Sequence, residues 1–112
     1  MKEVKAYVRQ HRISDVLEAL RNSGLCGLRE GSGCHNITVS QVLRPLAGAD
    51  PSQQHYSIDL AEPVVSEFRL ELICPDELAT PLAEVIANAA STGHPDAGWI
   101  IVSDVQRAVS IK

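Results

Sequence analysis

Aromatic residues are scarce in this chain: one Trp, two Tyr and one Phe make up 4% of its 112 residues. Basic blocks are missing as well, so no aromatic-and-basic stripe exists to track a phosphate backbone, and nucleic acid is not expected as a partner. Long apolar runs are absent. The opening MKEVKAYVRQHR carries a charge at every second or third position, unlike the unbroken apolar core of a signal peptide. No stretch approaches the length needed to cross a bilayer. Cysteine is confined to Cys26, Cys34 and Cys74, an odd number without a C-x-x-C pair, which speaks for a reducing, cytoplasmic setting over a secreted disulfide framework. What is present is ordinary globular usage: 45% apolar, 21% charged and a formal net charge of −4. The length suits a single domain over residues 1–112 with one modest core.

Val4, Ala6 and Val8 alternate with Lys5, Tyr7 and Arg9, which predicts a strand over residues 2–9 with one buried face. Ile13, Val16, Leu17 and Leu20 follow at helical spacing; Ser14 or the residues just before it would cap this helix, and Gly24 would end it in the left-handed region. The segment GLCGLREGSGCH holds four glycines and reads as a loop. A second strand is expected from Asn36 to Arg44, then a mobile loop through PLAGADPSQQ, then a long strand-like stretch from Tyr56 to Cys74 with a bend or edge position at Pro63. Pro75, Asp76 and Glu77 have the character of a helix's first turn, with Leu78, Leu82, Val85, Ile86 and Ala89 along one face. Trp99 to Val102 is a last apolar strand, and Val105 to Ile111 is expected to add a short one.

This order gives an α+β fold of the ferredoxin-like βαββαβ kind: an antiparallel sheet with both helices on one face. The other face is left uncovered, and a bare apolar face calls for a partner copy.

Several side chains invite chemistry. Cys34 and His35, with Cys26 nearby and His55 further on, offer thiolate and imidazole to a soft metal. The C-x7-C-H spacing is not a recognised ligand pattern, so a structural role ranks above metal binding, with a redox-sensitive thiol pair between the two. The stretch GLREGSGCHN has the glycines of an anion-binding nest suited to bicarbonate, with a plain flexible insertion as the simpler alternative. Trp99 is either an interface anchor or a platform for a purine. Asp15, Glu18, Asp76 and Glu77 sit at helix starts or on solvated faces, and no acid–base pair or activated nucleophile emerges, so an enzyme is not expected.

Particular segments resemble the PII signalling family. MKEVKAYVRQHRISDVLEALRNSG is similar to that family's first strand and helix, ITVSQV to its second strand, FRLELICPDEL to its third strand and second helix entry, and AASTGHPDAGWIIVSDVQRAV to its B-loop and last strand. The resemblance implies a homotrimer with nucleotide clefts between subunits, a T-loop at about 44–63 that signals to a partner, and a B-loop at about 92–99. Carried over to this chain, the implied nucleotide-binding residues are Thr38, Thr92, Gly93, His94, Asp96, Ala97, Gly98 and Trp99, with Lys112 as a phosphate contact. Gly98 is expected to let a ligand approach the backbone, so a β-branched replacement would block binding and spare assembly. Trp99 stands where nitrogen-regulatory members have a phosphate-binding lysine, Asp96 at a glycine position and Ser110 at an arginine. Each change disfavours a third phosphate, so ADP or AMP is expected ahead of ATP. Divergent members with a similar G-W-I-x-V run accompany carboxysomes or transporters for inorganic carbon and metal efflux. The implied partner is therefore a membrane transporter or carbon-metabolism protein, with bicarbonate as a second small ligand; the alternative is a metal-responsive protein linked to heavy-metal efflux, holding metal at Cys34 and His35.

Overall fold

The computed structural model describes residues 1–27, 33–46 and 51–112. Strand β1 (Lys2–Arg9) runs through a 3-10 turn at Gln10–Arg12 into helix α1 (Ile13–Ser23). Strands β2 (His35–Pro45), β3 (Gln54–Ser57) and β4 (Glu62–Cys74) follow, then helix α2 (Asp76–Ala90) and strand β5 (Trp99–Asp104). The sheet is antiparallel with order β2-β4-β1-β5, and β3 pairs with β4. This is the βαββαβ arrangement with one extra short strand.

Alternation decides which side of β1 is covered. Val4, Ala6 and Val8 are fully buried under the helices together with Leu70 and Leu72 of β4, while Lys5, Tyr7 and Arg9 face the other way. Helix α1 contributes Val16 and Leu20, and α2 contributes Ala79, Leu82 and Ile86 to the same core. Helix α1 has no side-chain cap at its start: Ser14 lies inside the helix, and the 3-10 turn leads into it directly. Its end is as expected, with Gly24 left-handed at φ 72°. Ser23 Oγ donates to the Leu20 carbonyl (2.7 Å) and accepts from the Leu25 amide (3.1 Å).

Three expectations need correcting. The stretch from Tyr56 to Cys74 is a hairpin: β3 and β4 are joined by residues 58–61, with the Ala61 amide bonded to the Ile58 carbonyl and Ala61 left-handed at φ 56°. Pro63 sits at the start of β4 opposite Tyr56, beyond the reach of β2, where a missing donor costs the ladder little. No strand forms over 105–111, since no neighbouring strand offers that segment a ladder among the described residues. The third concerns the cysteines. Cys26 and Cys34 are joined in a disulfide, and only Cys74 is free, fully buried in the core. Of the expected T-loop, residues 47–50 lie outside the described residues, as do 28–32 of the proposed anion nest; Pro51–Gln53 form a 3-10 turn.

The uncovered sheet face is less apolar than the sequence suggests. Pairing aligns Ser40, Arg69, Tyr7 and Trp99 in one row across it, and Thr38, Glu71, Lys5 and Ile101 in the next. Charges hold the middle, and exposed apolar rings and branches gather at the β5 edge, where Trp99 is 56% exposed. A further apolar strip lies on the helix side of β2: Ile37, Val39 and Leu43 are exposed because the two helices pack over β1 and β4 and stop short of this outer strand.

Candidate functional site

The uncovered face is hollowed at one end into a concavity of about 350 Å³, lined by Tyr7 of β1, Val42 and Arg44 of β2, Glu67 of β4, and Trp99 and Ile101 of β5, with Leu43 and Pro45 at its rim. Its floor is Glu67, only 1% exposed although it is a carboxylate. Two guanidiniums satisfy it: Arg9 Nη1 donates to Oε2 at 2.9 Å and Arg44 Nε to Oε1 at 2.6 Å. Cross-strand register explains the first contact, since Arg9 pairs directly with Glu67. Arg44 reaches from one row further along β2, and its guanidinium lies 5.9 Å from the Tyr7 ring centroid, within cation–π range. Two cations against one anion leave one positive charge in excess beside the rings of Tyr7 and Trp99. Chemically, such a surface could accept a planar or anionic ligand, and its lining residues pair no nucleophile with a base.

The turn after α2 forms the neighbouring wall. Arg12 ties down its start, donating from Nε (3.0 Å) and Nη2 (2.6 Å) to the Ala89 carbonyl at the end of the helix, where a cation also suits the helix dipole. Within the turn the His94 amide donates to Thr92 Oγ1 at 3.4 Å, and Arg9 Nη2 reaches the Asp96 carbonyl at 3.5 Å. Gly93 (φ 80°) and Asp96 (φ 55°) are both left-handed. Aspartate tolerates that conformation better than most residues.

Gly98 has a packing requirement beyond the expected one. A Cβ there would sit 2.1 Å from the Tyr7 carbonyl oxygen, so this glycine is required by the packing of the turn on β1 before any ligand is considered. A bulkier residue at 98 disturbs the fold and is not a clean test of binding.

The structure brings Thr92, Gly93, His94, Asp96, Ala97, Gly98 and Trp99 together at one edge of the sheet. Thr38 is on the opposite outer strand, on the same face but three strands away, roughly 14 Å across. Lys112 is exposed and belongs to no helix or strand. Cys34 has its sulfur bonded to Cys26 and offers no thiolate in this form, while His35 opens β2 beside it. Among the described residues no group of three His, Cys, Asp or Glu side chains is placed to hold a metal. Sequence reasoning missed Arg9, Arg44, Glu67 and Tyr7 as a unit. The signal available was a Glu at an inner position of a predicted strand, which a buried partner alone makes tolerable.

The family model described as Nitrogen regulatory protein P-II matches residues 1–112. The chain is similar to "Nitrogen regulatory protein P-II 2" of Methanothermobacter thermautotrophicus, 27% identical, with 100% of this chain and 90% of that protein covered. It is likewise similar to "Nitrogen regulatory protein P-II" of Rhizobium meliloti, 29% identical with 100% and 92% covered, and of Haemophilus influenzae, 26% identical with the same coverage. Matched from its first residue to its last by the family model, the chain belongs to the P-II family.

Proposed function

We propose that this chain is a signal-transduction regulator, not an enzyme, which takes an adenine nucleotide in a cleft between copies and passes its state to a partner protein through residues 44–63. The observation that carries this reading is the concavity where Trp99 and Tyr7 flank the Arg9–Glu67–Arg44 cluster beside the Thr92–Gly98 turn. Thr38 on one outer strand and the turn at the other are suited to meet across two copies. The hairpin tip also supports a partner contact: Tyr56, Ile58 and Leu60 are 63%, 87% and 46% exposed, too much apolar surface to leave without a use. Bicarbonate as a second ligand, and a transporter or carbon-metabolism protein as the target, complete the reading. No helix among the described residues is long and apolar enough to cross a membrane.

Calorimetry with AMP, ADP and ATP tests the nucleotide site. ADP and AMP are expected to bind at least as tightly as ATP, because Trp99, Asp96 and Ser110 supply no cation to a third phosphate. Trp99→Ala should weaken binding by about 5- to 150-fold, the loss of one stacked base. Absence of heat from all three nucleotides up to about a millimolar would sink this reading. Light scattering on the same samples should give the mass of three chains, and a monomer at micromolar concentration would remove the cleft.

A further inference from the structure

The disulfide between Cys26 and Cys34 joins the exit of α1 to the start of β2 across a sequence separation of 8, with Cα atoms 4.7 Å apart. The backbone brings the two sides together closely. Gly33 is left-handed at φ 86°, and a Cβ on it would stand 2.6 Å from the Gly27 amide nitrogen and 2.8 Å from the Leu25 carbonyl oxygen. The sulfurs are thus held side by side by the fold around them, which favours closing the bond and keeps its partner near when it opens.

The bond is a poor candidate for a staple of the whole domain. It closes a short ring, and cross-links over short loops restrict the unfolded chain least. The main buried cluster is made by β1, β4, α1 and α2, and both cysteines only pack against its margin. The third cysteine is set apart: Cys74 is fully buried, and burial pushes its thiol pKa up, so it stays protonated and out of exchange.

What the bond does control is local. His35 follows Cys34 directly, and the β2–β4 ladder is irregular between His35 and Thr38. Asn36 is left-handed at φ 54° within that break. The disulfide therefore anchors the one place where β2 is out of step with its neighbour, immediately before Thr38.

We propose that Cys26 and Cys34 form a reversible thiol–disulfide couple, exchanging with a small-molecule thiol pool, that fixes the first residues of β2 when oxidised and releases them when reduced. In the oxidising direction two S–H bonds break and one S–S bond forms. The two electrons and two protons pass to a low-molecular-weight disulfide, such as oxidised glutathione, which becomes two thiols. This inference does not rest on the nucleotide site.

The test equilibrates the full chain across ratios of reduced to oxidised glutathione, then quenches with a thiol alkylator and maps the labelled peptides. Cys26 and Cys34 are expected to gain and lose label together and reversibly, with Cys74 unlabelled until the protein is denatured. Hydrogen exchange at Ile37–Val39 should quicken at least tenfold on reduction, with β1 unchanged. The double variant Cys26→Ser, Cys34→Ser should exchange like the reduced protein at every ratio. The proposal is overturned if the pair stays in one state across the whole series, if reduction unfolds the domain, if exchange at 37–39 is the same in both forms, or if the double variant still responds to glutathione.

Discussion

Gly98→Val is expected to lower the melting temperature by at least 12 °C, on the order of 3 kcal/mol at about 4–6 °C per kcal/mol for a small domain. The atom that an added Cβ would meet, 2.1 Å away, is the backbone oxygen of Tyr7 in the central strand, which has no rotamer to change. Tyr7 pairs with Trp99, so moving either backbone to relieve the overlap strains the β1–β5 ladder at its first rung. Gly93→Ala serves as the comparison. Gly93 is left-handed at φ 80°, but an added methyl group would meet nothing within 4 Å, so only the backbone preference is lost, about 1 kcal/mol. Thermal unfolding of the two variants side by side should therefore separate a steric requirement from a conformational one. Equal melting temperatures would mean that the turn can move off the central strand without cost.

Glu67→Ala should be nearly as damaging, through charge instead of shape. The carboxylate is 1% exposed and receives both Arg9 and Arg44, whose side chains are 11% and 32% exposed. Breaking a buried pair leaves the remaining charge desolvated and alone, typically about 3–5 kcal/mol. Arg44 is exposed enough to turn towards water, so the loss falls mainly on Arg9, and about 2–4 kcal/mol is expected from chemical denaturation. Glu67→Gln keeps the shape and one acceptor and should cost less. Arg9→Ala should be worse than Arg44→Ala, since it removes the more buried of the two partners. A Glu67→Ala protein as stable as the parent would mean that the two arginines find other partners without cost.

The contrast between these two positions also shows what a sequence can carry. Helices α1 and α2 and strand β1 were legible because their burial follows from local periodicity. Helix α2 even runs through Pro81, an interior position where the missing N–H removes a helical bond, because Leu82 and Ile86 on either side of the next turn are fully buried. Strand β3 was not legible: Gln54–Ser57 is four residues long without an apolar alternation, and it exists only by pairing with the start of β4. Nor could Glu67 be assigned, since its partners lie 58 and 23 positions away and meet it only through the register of three strands. The cysteines were legible only in part: a redox-sensitive pair was one reading of their spacing, and the bond itself follows only once Gly33 lets two stretches of backbone touch.

Strand β2 has a consequence for the lone protomer. It is eleven residues long, forms one outer edge of the sheet, and carries Arg44 as its single full charge. Sheet proteins protect such edges with bulges, prolines and charges that spoil a second strand's approach. Here those devices sit only at the ends, an irregular step between His35 and Thr38 and the pair Arg44-Pro45. Between them Val39 to Leu43 offers open backbone flanked by exposed aliphatic side chains, the pattern that templates ordered aggregation. If the proposed assembly of copies covers this edge, newly made chains would be most exposed to that hazard before they associate, and their concentration would decide whether the edge is shielded or becomes a seed.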